Sequence, residues 1–109
     1  IGLFDIKKIS LAKKYGIVGL NGREKISSFE EKPQRPKSTL AAMCLYYFPK
    51  EKLGLLERYR QEGNSLDLAG SFIKWLSQRE GVYGYTFEGM WLDIGDEKSL
   101  KQAQRIKWD

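Results

Sequence analysis

The sequence has no histidine and only one cysteine, Cys44, among its 109 residues. Zinc prefers imidazole and thiolate ligands, so a zinc site is not expected, whereas an oxygen-ligand site for magnesium remains open. The lone cysteine excludes an internal disulfide, and no histidine is present to activate its thiol. Because Cys44 stands within an apolar run, we expect it to be a small buried core residue rather than a nucleophile.

Long hydrophobic runs are also missing from the sequence. The longest strongly apolar run, residues 40–48, is far too short to cross a bilayer. No basic and then apolar signal precedes the first predicted strand. We therefore expect no membrane partner and predict a cytoplasmic location.

Basic residues outnumber acidic residues. Lys and Arg number 19 against 14 Asp and Glu, a net charge of +5, and the excess lies in residues 1–52. A positive field favours an anionic partner, either a phosphorylated small molecule or nucleic acid, and a solvated basic surface is the alternative. Because no recognition helix, aromatic-sheet signature or finger motif is present, we predict no nucleic-acid partner.

A β-hairpin is the first element that the sequence predicts. Residues 15–20 and 25–32 have the pattern of strands, and an Asn-Gly pair follows the first of them. Strict alternation along the second strand would place Ile26 and Phe29 on opposite faces. Neither face is wholly apolar, so one side is expected to meet solvent or ligand.

The rest of the chain mixes strands and helices. Residues 39–48 are apolar on both alternations, which predicts a central strand covered on both faces. Helices are predicted over residues 49–63, 65–81 and 97–108, and further strands over 82–89 and 90–95. We expect Asp96 to cap the last helix. This order, with 41% hydrophobic and 30% charged residues, predicts one folded unit of the α/β or α+β class. Neither a P-loop nor a G-x-G-x-x-G motif is present.

Three segments together resemble a known family. They are YGIVGLNGREKISSFEEKP (residues 15–33), PKSTLAAMCLYYF (36–48) and VYGYTFEGMWLDIGDEKSLKQA (82–103). In this order they resemble the C-terminal half of a sugar-1-phosphate nucleotidyltransferase, similar to glucose-1-phosphate thymidylyltransferase and mannose-1-phosphate guanylyltransferase. The resemblance implies a Rossmann-like α/β fold with a mixed sheet, an antiparallel hairpin and flanking helices. It also implies that residues 1–109 are a single partial domain, with the N-terminal nucleotide-binding half absent.

The first of these segments is where the resemblance implies sugar-phosphate binding. Gly16 would bring its backbone amide against the sugar, and a plain strand-edge glycine is the alternative. Glu31 would accept hydrogen bonds from sugar hydroxyls, while Lys32 would pair with the phosphate. Adjacent residues at a strand end can both reach one ligand. The alternative for Glu31 and Lys32 is a surface ion pair worth under about 1 kcal/mol.

The third segment is where the resemblance implies metal chemistry. Asp93 resembles the second metal-binding aspartate of the family, which holds Mg²⁺, and a turn or cap residue is the alternative. The resemblance therefore makes Lys32 and Asp93 the catalytic candidates. Trp91 resembles an aromatic residue that lines the sugar site, with a half-buried structural tryptophan as the alternative.

Some positions depart from the pattern of the family. Relatives usually carry glycine at the position of Cys44, where the sugar lies close, so the identity of the sugar stays open. Ala69 stands where a proline is usual. We expect Asp67 to cap the helix that follows it, and we assign it no role in the chemistry.

The resemblance implies a reaction between a nucleoside triphosphate and a sugar-1-phosphate, which yields a nucleotide sugar and pyrophosphate. A phosphate oxygen is already a nucleophile, so catalysis rests on positioning and on neutralising charge with Mg²⁺ and lysine. We expect the 109-residue chain to be inactive by itself. A non-catalytic regulatory or assembly module with the same fold is the alternative. Because relatives often assemble, a second copy of the chain is also among the expected partners.

Overall fold

The computed structural model describes residues 1–107. Five strands form one mixed sheet in the order β3-β2-β4-β1-β5. The strands are β1 (Gly2–Asp5), β2 (Gly16–Leu20), β3 (Ile26–Glu31), β4 (Leu40–Ala42) and β5 (Tyr85–Phe87). All neighbouring strands are antiparallel except β1 and β5, which are parallel. The predicted α/β class with a mixed sheet is therefore confirmed.

The hairpin of β2 and β3 forms as predicted, and its turn is held by one side chain. The Asn21 carboxamide oxygen accepts hydrogen bonds from the backbone N–H groups of Arg23 at 3.0 Å and Lys25 at 3.1 Å. The predicted alternation along β3 is wrong, because the register shifts between Gly19 and Leu20. This bulge brings Ile26 and Phe29 into the same buried cluster.

The predicted central strand forms, but it covers only Leu40–Ala42 of the predicted residues 39–48. β4 is the third of the five strands, and Ala41 and Ala42 face separate buried clusters on the two sides of the sheet. Regular pairing ends at Ala42. Beyond it, the carbonyl oxygen of Gly2 accepts from the Met43 N–H, and the Gly2 N–H donates to the oxygen of Leu45.

The expectation of a buried Cys44 is wrong. Cys44 is skipped by the hydrogen bonds on either side of it, has a φ of 56° and is exposed. A φ in the left-handed region is costly for a residue with a Cβ, and glycine is the residue that adopts it without this cost. The strand therefore bulges at Cys44, and the thiol lies outside the core.

Two short segments differ from the sequence-based expectation. β1 was not predicted, since its four residues are too few to show a periodicity, and its pairing with β4 and β5 makes it a strand. Conversely, residues 90–95 were expected to be extended but form no strand. They return across the face of the sheet instead, where Trp91 packs against a buried cluster of Ala12, Ile17 and Ala41.

All three predicted helices are present, with shorter limits. They are α1 (Gly54–Gln61), α2 (Ala69–Ser77) and α3 (Glu97–Gln104), preceded by 3₁₀ turns over Ile9–Lys14 and Lys50–Lys52. The predicted cap of α3 is confirmed: the Asp96 carboxylate accepts from the Ser99 N–H at 2.7 Å, and the Ser99 hydroxyl accepts from the Asp96 N–H. The predicted end of this helix at residue 108 lies outside the described residues.

The larger core lies between the sheet and helices α1 and α2. Phe72, Ile73, Trp75 and Leu76 form the buried face of α2, as its apolar spacing predicts, and they pack with Tyr59 of α1. Within residues 1–107, no helix has the length and apolar character needed to cross a membrane.

Acid sensitivity is expected from the carboxylate that ends β1. Asp5 accepts hydrogen bonds from the Lys7 ammonium at 2.9 Å and from the Thr39 hydroxyl at 2.7 Å. These contacts, that of Lys7 first, lower the pKa of Asp5 to about 2. Its contribution to stability is therefore complete above the ordinary pKa of aspartate and is lost as the pH falls towards 2.

We predict that Asp5→Asn makes the melting temperature less sensitive to acid between pH 5 and pH 2. Thermal unfolding followed by circular dichroism at several pH values checks this, with the exposed Glu51→Gln as the matched control. Equal acid-induced losses of melting temperature in the wild type and Asp5→Asn would contradict the assignment.

Candidate functional site

The directions of the strands bring three strand ends to one edge of the sheet. Because β2 runs antiparallel to both β3 and β4, the first residue of β2, Gly16, lies beside the last residue of β3, Glu31, and close to the last residue of β4, Ala42. A cavity of about 470 Å³ opens at this edge. The residues before and at the start of α2 close one side of it, and residues 91–93 close another. We refer to it as the edge cavity.

The edge cavity brings together all five site residues that the sequence nominates. Gly16, Glu31, Lys32, Trp91 and Asp93 all contribute to its lining. They come from the start of one strand, the end of another and an irregular segment more than 50 residues further along the chain. The arrangement places a carboxylate, an ammonium and a second carboxylate around one volume. The chemical role of each residue remains a prediction.

The charged members of this set have no protein partners in the part of the chain that the structure describes. Glu31, Lys32 and Asp93 take part in none of the ion pairs or side-chain hydrogen bonds found over residues 1–107. The alternative of a surface ion pair between Glu31 and Lys32 is therefore not what the structure contains. All three groups are available to a ligand.

The backbone at Lys32 is unusual for a residue with a side chain. Its φ is 44°, and its N–H continues the hairpin ladder by donating to the oxygen of Tyr15 at 3.0 Å. Left-handed φ values cost a non-glycine residue roughly 1–2 kcal/mol and cluster at functional sites. Within residues 1–107, four non-glycine residues have a positive φ; Lys32 and Cys44 line the edge cavity, and Lys7 and Glu24 do not.

Gly16 is required by close packing rather than by an open strand edge. A Cβ built on Gly16 would lie 2.9 Å from Cζ of Phe29 and 3.1 Å from Oε2 of Glu31. The missing side chain thus makes room for the carboxylate on the neighbouring strand. Contact between the Gly16 amide and a sugar stays a prediction.

The model of the nucleotidyl transferase family matches residues 1–107. The chain belongs to the nucleotidyl transferase family. A curated relative, the glucose-1-phosphate adenylyltransferase of Clostridium acetobutylicum, is 34% identical over 106 residues. The alignment covers 94% of this chain and 28% of the relative, so the chain spans little more than a quarter of that protein. The predicted resemblance to sugar-1-phosphate nucleotidyltransferases is confirmed.

Trp91 packs on the sheet and also lines the edge cavity, while its contact with a sugar stays a prediction. Its ring centroid lies 5.3 Å from that of Tyr15 and 5.7 Å from that of Phe4, so the half-buried ring packs on the sheet. The same side chain lines the edge cavity. A structural contact and a cavity wall are therefore supplied by one residue.

The sequence reasoning missed several residues that line the edge cavity. Tyr15 could have been found, since it stands beside Gly16 in the same motif. Tyr46 gave no signal, because it lies in an apolar run that was expected to continue as strand. Burial, followed by the Cys44 thiol and the Glu31 carboxylate, raises the pKa of Tyr46 to about 12. Tyr46 is thus a partly buried residue of the cavity lining that the sequence did not indicate.

Asp67 is also placed differently from the expectation. It does not cap α2, because the N-cap residue is Leu68 and no side chain caps this helix. The backbone N–H of Asp67 donates a hydrogen bond to the Ser65 hydroxyl at 3.2 Å. Asp67 also lines the edge cavity. The expected cap is therefore wrong, and the cavity has one more acidic residue than the sequence indicated.

The charged residues of the edge cavity bear on whether it could hold a metal ion. Two lysines, Lys14 and Lys32, face three carboxylates, those of Glu31, Asp67 and Asp93. Residues 1–107 contain no group of three His, Cys, Asp or Glu side chains close enough to hold a metal ion by themselves. Mg²⁺ is commonly held by one or two carboxylates together with substrate phosphates. Asp93 fits such a shared site as a single ligand.

Proposed function

We propose that this chain forms the sugar-phosphate-binding part of a sugar-1-phosphate nucleotidyltransferase. The parent reaction joins a nucleoside triphosphate and a sugar-1-phosphate into a nucleotide sugar and releases pyrophosphate. The observation that supports the proposal most strongly is the lining of one edge cavity by Glu31, Lys32 and Asp93, none of which has a partner elsewhere in residues 1–107. The membership of the chain in the nucleotidyl transferase family supplies the class of reaction.

Different side chains contact the sugar and the phosphate of the ligand. Lys32 pairs its ammonium with the phosphate, and Glu31, the next residue along the chain, accepts hydrogen bonds from the sugar hydroxyls. Trp91 provides an apolar wall, which suits the less polar face of a sugar ring. Gly16 keeps the space beside Glu31 free.

The chemistry needs no protein nucleophile. An oxygen of the sugar-1-phosphate forms a bond to the α-phosphorus of the triphosphate, while the bond from that phosphorus to the β-phosphate oxygen breaks and pyrophosphate leaves. Lys32 holds the attacking phosphate in line and offsets part of its charge.

A divalent cation is part of the proposal because the cavity has no excess of positive charge. Two lysines do not offset three carboxylates, so a dianionic phosphate would meet unfavourable charge without a further cation. Asp93 would hold Mg²⁺ as one ligand, and the ion would neutralise charge on the phosphates.

A second candidate function is a non-catalytic regulatory or assembly module with the same fold. Two exposed aromatic residues favour it: Tyr83 is 58% exposed and Tyr85, on the edge strand β5, is 66% exposed. Such a surface suits the docking of a partner protein. This candidate requires no ligand in the edge cavity.

Calorimetry separates the two candidates. We expect the purified chain, with Mg²⁺, to bind glucose-1-phosphate or mannose-1-phosphate at least about tenfold more tightly than inorganic phosphate, because the sugar adds hydrogen bonds to Glu31. Glucose itself serves as the second control, since it cannot engage Lys32. A folded sample that releases no heat with either sugar-1-phosphate would overturn the proposal and support the module.

A further inference from the structure

The start of α2 approaches the carboxylate of Glu31 very closely. Gly70 is the second residue of this helix. A Cβ built on Gly70 would lie 3.1 Å from Oε2 of Glu31 and 2.9 Å from Cε1 of Phe29. The second of these distances is shorter than side-chain carbons adopt, so an alanine at this position would force a neighbour to move.

The same two side chains also pack against Gly16 on β2. There, the built Cβ would lie 2.9 Å from Phe29 and 3.1 Å from Oε2 of Glu31. The edge of the Phe29 ring and the Glu31 carboxylate therefore occupy a narrow space between two glycines from different elements, which we call the glycine slot. Gly54, at the start of α1, has nothing within 4 Å of its built Cβ, so close packing is not general at helix starts in this chain.

The two side chains in the glycine slot differ in how freely they can move. Phe29 is 4% exposed and belongs to the larger core, so its ring is largely held in place by packing. Glu31 is exposed, and no hydrogen bond or ion pair within the described residues fixes its carboxylate. A methyl group added at Gly70 would therefore disturb both side chains: rotation of Glu31 out of the slot relieves the 3.1 Å contact with its carboxylate, whereas the 2.9 Å contact with Phe29 requires a small shift of that ring or of α2.

A second cavity beside the glycine slot could receive the Glu31 carboxylate if it were displaced. Phe29, Glu31 and Gly70 line both the edge cavity and a neighbouring cavity of about 350 Å³, whose lining includes the α2 residue Lys74. The glycine slot thus lies between two cavities. The edge cavity contains the predicted sugar-phosphate residues, and the neighbouring cavity contains the Lys74 ammonium, which attracts a carboxylate.

We propose that Gly70 is a positioning residue, which holds the Glu31 carboxylate in the edge cavity by leaving the glycine slot open at the start of α2. The inference rests on the proposed function, in which Glu31 accepts hydrogen bonds from the sugar. It adds that the packing of α2 against β3 determines how well the sugar, as distinct from its phosphate, is recognised.

The decisive comparison is between Gly70→Ala and the matched variant Gly54→Ala. We expect Gly70→Ala to weaken the binding of glucose-1-phosphate by about tenfold, as expected for one misplaced charge-assisted acceptor, and to leave the binding of inorganic phosphate to Lys32 unchanged. Gly54→Ala should change neither. Equal affinity of wild type and Gly70→Ala for glucose-1-phosphate, or a parallel loss for both ligands, would overturn the inference.

A double-variant cycle separates positioning from a general effect on the fold. Glu31→Asp shortens the side chain and withdraws the carboxylate from the new methyl group, so Gly70→Ala should cost little further affinity in that background. If the losses of binding free energy in Gly70→Ala and Glu31→Asp simply add in the double variant, positioning through Glu31 is contradicted. If Gly70→Ala unfolds the chain through Phe29, the same comparison is made with Phe29→Leu present in all variants.

A measurement without ligand keeps this inference distinct from the proposed function. The ¹³Cδ resonance of Glu31, assigned by its loss in Glu31→Gln, should shift in Gly70→Ala and stay in place in Gly54→Ala. An unmoved resonance would reject the glycine slot whether or not a sugar-1-phosphate binds. A shifted resonance in a chain that binds no sugar-1-phosphate would retain the slot and reject the proposed function.

Discussion

Replacement of Lys32 by alanine is expected to weaken the binding of a sugar-1-phosphate by about 10- to 100-fold. Hydrogen bonds to charged groups contribute roughly 1.5–3 kcal/mol, which corresponds to this range of affinity. The expectation rests on the position of Lys32 in the lining of the edge cavity and on its lack of an ion pair within the described residues. Isothermal titration calorimetry with glucose-1-phosphate in the presence of Mg²⁺ measures the effect.

Lys37→Ala is the matched control for this experiment. Lys37 is exposed, lies five residues further along the chain and is not among the residues of the edge cavity. Both variants remove one positive charge, so a change shared by the two reports the overall field rather than a contact. A loss of affinity in Lys32→Ala no greater than that in Lys37→Ala would show that the ammonium does not touch the ligand.

Replacement of Trp75 by alanine is expected to lower the free energy of unfolding by about 3–5 kcal/mol. Trp75 is 7% exposed, and its ring lies 5.4 Å from Tyr59 and 5.9 Å from Phe72, centroid to centroid. Its indole N–H donates to the Glu62 carboxylate at 2.8 Å, and the Arg79 guanidinium lies 4.3 Å from the ring centroid. The ring thereby joins α1, α2 and the segment that follows α1.

Chemical denaturation followed by far-ultraviolet circular dichroism tests the role of Trp75. Small proteins are stable by only about 5–15 kcal/mol, so Trp75→Ala should unfold at a much lower denaturant concentration. Trp75→Phe keeps most of the apolar volume and loses the hydrogen bond to Glu62, so its loss should be smaller, about 1–2 kcal/mol. Similar losses in the two variants would show that the hydrogen bond, and not the packing, dominates.

The parts of the fold that follow from short-range interactions were predictable. The Asn21 turn needs only its own next four residues, and the Asp96 cap needs only Ser99, three residues on. The buried face of α2 follows from apolar residues at helical spacing. In each case the residues that form the structure are also neighbours in the sequence, so the pattern alone indicates the result.

Other parts depend on contacts between distant residues. β1 has only four residues and becomes a strand through pairing with β4 and β5. The bulge at Cys44 depends on the hydrogen bonds that Gly2, more than 40 residues earlier, accepts from Met43 and donates to Leu45. It exposes a thiol that the apolar run predicts to be buried. Asp67 likewise faces the edge cavity instead of capping α2.

Some features of the candidate site likewise follow from the sequence, and others only from the tertiary structure. The sequence by itself determined which chemistry-bearing residues are present: an adjacent carboxylate and ammonium at Glu31 and Lys32, a further carboxylate at Asp93, and motifs that identify the nucleotidyl transferase family. Only the tertiary structure decided that these residues share one cavity, because antiparallel pairing brings the start of β2 to the ends of β3 and β4. It also decided the position of the Glu31 carboxylate, since the space between Gly16 and Gly70 exists only once α2 packs on β3.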